Sequence, residues 1–126
     1  MSELQVVYKA GDFRIEIGST HPQLDAFLAE KGAERWVLLT AENPHSEEFP
    51  FYINKQRTGV LRDELADTDW LVLEATGESN QEDSPTENCF LIIGITLQEA
   101  AEVAFRYHQD ALVTGVPNGF AQIVGL

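Results

Sequence analysis

The chain has a single cysteine, Cys89, and few basic residues, because eight Lys and Arg stand against 21 Asp and Glu for a formal net charge of −13. One cysteine excludes an internal disulfide, which fits a reducing compartment, so we expect a cytoplasmic protein. The shortage of positive charge argues against a nucleic-acid backbone or an anionic membrane as partner. No apolar run approaches the ~20 residues that a membrane helix needs, and the N-terminus lacks a signal-peptide pattern.

The sequence also lacks the patterns of common catalytic and cofactor sites. There is no Gly-rich phosphate loop, dinucleotide fingerprint, nucleophile elbow or zinc-ribbon spacing. His45 and Glu48 lie three residues apart, but no third ligand stands at metal-site spacing. Cys89 opens an apolar strand in an acidic region, which favours a buried core residue over a nucleophile. We therefore predict no catalytic residue, no metal and no cofactor.

Negative charge is concentrated in one part of the chain. Residues 63–110 contain twelve acidic residues and one basic residue, Arg106, for a local net charge of −11, whereas residues 1–62 are nearly balanced. A one-sided field of this kind concerns partners and solubility, not the fold. It predicts a basic protein partner, docking at the tip of a hairpin around residues 78–87.

Several segments have strand character. Apolar and polar residues alternate in residues 12–17, which is typical of a half-buried strand, and near-continuous apolar runs predict strands buried on both faces. Asn118 and Gly119 predict a hairpin turn between the last two strands. The expected strands are 4–10, 12–17, 35–41, 70–75, 89–95, 111–116 and 120–124.

Three helices are expected between these strands. The first begins near Thr20 with a capping box and ends at Gly32, a natural C-terminal cap. The second spans about 50–65, and the third begins at Thr96 with a second capping box.

The order ββ-α-β-α-β-β-α-β-β places several strands next to one another in sequence, which implies antiparallel pairs. We predict a single α+β domain over residues 1–126, with a mixed or antiparallel sheet of about five to seven strands and three helices packed on it. Residues 76–86 have no apolar side chain and are predicted to form a flexible acidic hairpin loop.

Four short strings resemble a bacterial family catalogued as domain of unknown function 3293. They are LTAENP at 39–44, Asn54, ENCFLI at 87–92 followed by Gly94, and FRYHQDA at 105–111. The resemblance covers roughly residues 36–124.

The chain also departs from the family pattern. Asn88 and Cys89 stand where a Ser is expected after the Glu, and His108 replaces an expected Gly. The resemblance implies candidate positions and no particular chemistry.

The candidate binding residues come from the resemblance and from a basic cluster on the second helix, which consists of Lys55, Arg57 and Arg62. Amides recognise ligands by hydrogen bonds but are poor nucleophiles and bases. The resemblance implies five positions, and the basic cluster adds Arg57 as an anion clamp. In the competing interpretation these side chains fasten backbone, and Glu87 pairs with Arg57 or Arg106. The predicted binding residues are Thr40, Asn43, Asn54, Arg57, Glu87 and Gln109.

Three hypotheses follow for function. The first is a small binding or regulatory module without catalysis, whose acidic surface docks a basic protein. The alternative is a small-ligand binder or an enzyme with a polar pocket, in which Glu87 would be the base and Arg57 the anion holder. The third is a homodimer that pairs through the open sheet edge at the C-terminal strand.

Overall fold

The computed structural model describes residues 6–80 and 85–126, which form an α+β fold. A short 3-10 turn, Pro44–Ser46, lies in the loop before the second helix. The elements are β1 Val6–Ala10, β2 Phe13–Glu16, α1 Pro22–Lys31, β3 Trp36–Leu39, α2 Phe51–Ala66, β4 Leu71–Ser79, β5 Glu87–Ile93, α3 Leu97–Arg106, β6 Ala111–Gly115 and β7 Gln122–Gly125.

All seven strands belong to one antiparallel sheet in the order β2-β1-β4-β5-β3-β6-β7, and the sheet curls into a half-barrel. The predicted class and element order are therefore confirmed. Strands β5 and β3 lie at the centre, and all four residues of β3 are buried. Strands β2 and β7 form the two edges.

Apolar side chains cover both faces of the sheet. Leu91 of β5 belongs to one core cluster together with Leu28 of α1. The neighbouring Phe90 belongs to a second cluster together with Leu61 of α2 and Val103 of α3. Because successive strand residues point to opposite faces, α1 packs on one face and α2 and α3 on the other.

Strand β4 is longer than predicted, because it extends to Ser79 through residues expected in the acidic loop. Gly77 pairs with Tyr8 of β1 on one side and with Glu87 of β5 on the other. A Cβ at Gly77 would lie 2.9 Å from the Tyr8 ring, so the close packing of these strands depends on glycine. Residues 81–84 of the predicted loop lie outside the described residues.

Helix α1 begins at Pro22, two residues after the predicted start at Thr20. The predicted capping box there is wrong, since the N-cap is His21 and no side chain caps the helix. His21 instead turns back to β2, where its Nε2 accepts a hydrogen bond of 3.1 Å from the Glu16 backbone N–H.

Helix α3 opens with the predicted capping box. The Thr96 hydroxyl accepts from the Glu99 backbone N–H, and the Glu99 carboxylate accepts from the Thr96 backbone N–H. Gly32 caps α1 at φ 67°, also as predicted, and α2 runs unbroken through Gly59. In the described part of the chain, no helix combines the length and apolar character that crossing a bilayer requires.

Candidate functional site

The loop between β3 and α2, residues 40–50, is held by two asparagines. The Asn43 backbone N–H donates to Asn54 Oδ1 at 2.9 Å, and Asn54 Nδ2 donates to Asn43 Oδ1 at 2.9 Å. The Asn43 side chain also accepts from the Phe49 backbone N–H, and Asn54 Nδ2 donates to the Phe49 carbonyl. Asn43 itself has φ 48°, a left-handed conformation that Asn tolerates better than most residues. The two amides therefore fix the shape of this loop.

Two further predicted residues tie the loop to the end of α3. Arg57 donates to the Ala41 carbonyl and to the Tyr107 carbonyl, each at 2.6 Å. Gln109 Nε2 donates to the Glu42 carbonyl at 3.1 Å and to the Tyr107 carbonyl at 3.2 Å. Two nitrogens of the Arg57 guanidinium therefore bind backbone carbonyls, which connects the loop to the residue after α3.

Thr40 links β3 to the first residues of β5. Its hydroxyl donates to the Asn88 carbonyl at 2.8 Å and accepts from the Glu42 backbone N–H at 3.1 Å. Five of the six predicted residues thus contact the backbone of the 40–50 loop or its anchors, and Glu87 is the exception.

A carboxylate that the sequence analysis did not select, Glu42, lies at the centre of this arrangement. Only 6 % of the residue is exposed. Its Oε2 accepts from the Thr58 hydroxyl at 3.2 Å, from the Asn88 backbone N–H at 3.2 Å and from the Asn88 side-chain amide at 3.1 Å. Across residues 6–80 and 85–126, no hydrogen bond to its other oxygen, Oε1, is formed.

Glu42 lines a cleft of about 750 Å³ that opens between the loop, the first half of α2 and the start of β5. We call it the α2–β5 cleft. Three of the predicted residues line it, Asn43, Asn54 and Glu87, whereas the other three do not. The full lining is Glu42, Asn43, Glu48, Phe49, Phe51, Asn54, Lys55, Thr58, Arg62, Pro85, Thr86, Glu87 and Asn88.

Glu87, the first residue of β5, is half-buried beside the cleft. Its carboxylate has no hydrogen bond or ion pair to any other described residue, so the expected pairing with Arg57 or Arg106 does not form. Burial raises the pKa of Glu87 to about 7, and the negative charge of Glu42 adds to the effect. A carboxyl group at this position changes charge near neutral pH.

Glu87 also borders a second cavity, of about 150 Å³, which it shares with Tyr8, Thr40 and Cys89. Burial raises the pKa of Tyr8 to about 12, with smaller contributions from Glu87 and Cys89. Burial likewise raises the pKa of the Cys89 thiol above its ordinary range. Cys89 is a buried core residue, as predicted.

The histidine considered as a metal ligand lies outside the cleft. His45 Nδ1 is 3.5 Å from Asp110 Oδ1, and its ring centroid is 5.2 Å from that of His108. Among the residues that the structure describes, no group of three or more His, Cys, Asp or Glu has a geometry suited to a metal ion.

Sequence reasoning missed three residues of the cleft that are linked by hydrogen bonds: Glu42, Thr58 and Asn88. Glu42 occupies the variable position of the T-A-x-N-P turn, and the charge pattern gave no reason to separate it from other loop acids. Asn88 was noted only as a departure from the expected Ser. Its side-chain amide donates to Glu42 Oε2, so the Asn adds one donor to the backbone N–H that also reaches this carboxylate.

A family model described as a protein of unknown function, DUF3293, matches residues 39–112. The chain belongs to this family. The match confirms the resemblance seen in the sequence, and the matched stretch contains every residue that lines the α2–β5 cleft. Neither the curated proteins nor the solved structures include a significant match to the chain.

Proposed function

We propose that the protein binds a small polar molecule in the α2–β5 cleft. The observation that carries the proposal is Glu42, a buried carboxylate on the cleft floor that uses one oxygen for three hydrogen bonds. Burying a charged group costs free energy unless the group is paired and hydrogen-bonded. Ionisable groups that are buried or have shifted pKa values in clefts are concentrated at functional sites.

The size and lining of the cleft support this function. Its volume of about 750 Å³ lies within the range of small-molecule sites. Phe49 and Phe51 line the cleft together with residues that carry amides, hydroxyls and carboxylates. A few convergent polar groups beside apolar surface are typical of such sites.

The rigid support of the cleft is the second argument. Asn43 and Asn54 lock the loop that presents Glu42, and Arg57 anchors that loop to the end of α3. Binding sites need side chains held in place by their surroundings, and here the predicted residues supply that support.

We favour binding over catalysis because the described residues of the lining include no activated nucleophile. The Thr58 hydroxyl is engaged with Glu42, and Cys89 does not line the cleft. One observation favours an enzyme instead, the pKa of about 7 for Glu87, which suits a general base. Mass spectrometry of a bound ligand after incubation with excess protein distinguishes a binding protein from an enzyme. An unchanged ligand mass supports binding. A product that wild type forms and Glu87→Gln does not form supports an enzyme.

The acidic surface ranks below the cleft as a functional site. Ion pairs partly neutralise it, because Arg106 pairs with Glu64 and Arg62 with Glu74, while Lys9 pairs with Glu78. A basic protein partner remains our second proposal for residues 63–110. The proposal of a basic partner would be contradicted if crosslinking captures no protein whose yield falls as salt is added.

The cleft is tested by filling it. Thr86 is exposed at the rim, so Thr86→Trp should block the cleft without disturbing the core. The matched control is Gln56→Trp, an exposed position of α2 outside the lining. We expect polar metabolites from a mixed panel of cations, anions and neutral molecules to raise the melting temperature of wild type and of Gln56→Trp, but not of Thr86→Trp. Equal stabilisation of all three proteins, or of none, would overturn the proposal.

A further inference from the structure

Glu42 and Glu87, two of the carboxylates that line the cleft, have no cationic partner among the residues that the structure describes. Within residues 6–80 and 85–126, the Glu42 carboxylate accepts hydrogen bonds from the neutral donors of Thr58 and Asn88, and the Glu87 carboxylate accepts none. A buried carboxylate is normally paired with a positive charge or a metal ion. The cleft therefore has room for a positive charge beside these two carboxylates.

The nearest arginines do not fill this position. Arg57 donates to two backbone carbonyls. Arg62 lines the cleft, but it donates to Glu74 Oε1 at 2.6 and 2.7 Å, and its guanidinium lies 5.7 Å from the centre of the Phe90 ring. With Arg62 neutralised by Glu74, the remaining charges on the lining are those of three acids and Lys55.

Resting on the function proposed above, we propose that the ligand of the α2–β5 cleft is a small organic cation, a primary amine or a guanidine with an apolar stem. The charged head lies between Glu42 and Glu87, where no described residue donates a hydrogen bond to Glu42 Oε1. The stem lies along Phe49 and Phe51, whose rings border the cleft and also attract a cation. Lys55 on the rim disfavours a charged head at the outer end and so directs it to the floor.

Proton release gives an independent signature of this arrangement. Glu87 is largely protonated below pH 7, and a cation beside it stabilises the ionised form, so binding at pH 6 expels a proton. The other charged or titratable groups that line its two cavities are Glu42, Glu48, Lys55, Arg62, Tyr8 and Cys89. The raised pKa values of Tyr8 and Cys89 keep both protonated at this pH.

Calorimetry with benzylamine and agmatine, against benzyl alcohol as the neutral counterpart of benzylamine, tests the ligand class. We expect the amines to bind wild type and benzyl alcohol not to bind. Glu42→Gln and Glu87→Gln should each weaken amine binding about 30-fold at pH 8, because each leaves one charge contact unmade. Glu47→Gln is the matched control, an exposed acid of the same loop outside the lining, and should leave affinity unchanged.

Titration at pH 6 in two buffers with different ionisation enthalpies should show protons released by wild type and none by Glu87→Gln. Amine binding that survives both cleft substitutions overturns the proposal, as does stabilisation by Mg²⁺ or Ca²⁺ in place of amines. If only anions or neutral molecules bind, and Thr86→Trp abolishes that binding, the cation proposal is wrong and the proposal of a small-molecule site in the cleft is supported. If nothing binds, both fall.

Discussion

At the scale of single residues, Glu87 makes the stability of the protein depend on pH. Its folded pKa of about 7 lies above the ordinary 4.5, so the folded state holds the proton more tightly than the unfolded state. The contribution of Glu87 to the free energy of unfolding is fully present below pH 4.5 and is lost as pH rises through 7. Replacing the carboxyl group by an amide removes this loss.

We therefore expect Glu87→Gln to match wild type near pH 4.5 and to exceed its free energy of unfolding by about 2–3 kcal/mol above pH 8. Urea denaturation at a series of pH values measures the difference. Glu47→Gln, at an exposed position, should show no such trend. A Glu87→Gln difference that is constant with pH would contradict the assignment.

Asn54 is the second residue with a measurable role. It is 9 % exposed and exchanges hydrogen bonds with Asn43, so truncation leaves half-buried partners without donors or acceptors. We expect Asn54→Ala to lower the free energy of unfolding by about 2–3 kcal/mol. Gln56→Ala, two residues along the same helix and exposed, should stay within about 0.5 kcal/mol of wild type. Similar values for both variants would show that the amide pair does not hold the loop.

At the scale of elements, Arg57 joins the end of β3 to α2 and to the end of α3. Lys keeps the charge, but a single ammonium group does not reproduce the planar arrangement of two donors. Arg57→Lys should therefore cost about 1.5–3 kcal/mol and speed hydrogen exchange at the His45 amide, which donates to the His108 carbonyl.

Arg14→Lys serves as the control for this substitution, because the Arg14 side chain is exposed and pairs with Glu16 at the surface. Unchanged exchange at His45 in Arg57→Lys would mean that the loop and the end of α3 are held by other contacts.

The sequence predicted elements where the signal is local. Alternation revealed β2, the apolar run revealed β3, and the Thr96 capping box revealed the start of α3. It failed at the start of α1, where His21 bonds to the nearby Glu16 backbone and no side chain caps the helix. It also failed where distant contacts decide, since β4 continues to Ser79 beside β1. Sequence analysis missed Glu42 for the same reason, since only the meeting of α2 and β5 buries it.

At the scale of the whole molecule, the net charge of −13 opposes compaction through self-repulsion. We expect the melting temperature to rise by a few degrees as NaCl is added from low concentration, because counterions screen the acids. Differential scanning calorimetry over a salt series measures the shift, and potassium chloride at equal ionic strength should give the same curve. A melting temperature that falls with salt would mean that the surface ion pairs outweigh the repulsion.

The position of Cys89 allows a practical measurement. The only thiol of the chain lies in the central strand β5, between β4 and β3, and is 3 % exposed with a raised pKa. A thiol reagent reacts only with an accessible thiolate, so labelling requires the middle of the sheet to separate. The rate at which Cys89 is labelled in the unmodified protein therefore measures how often the core opens, without any engineered probe.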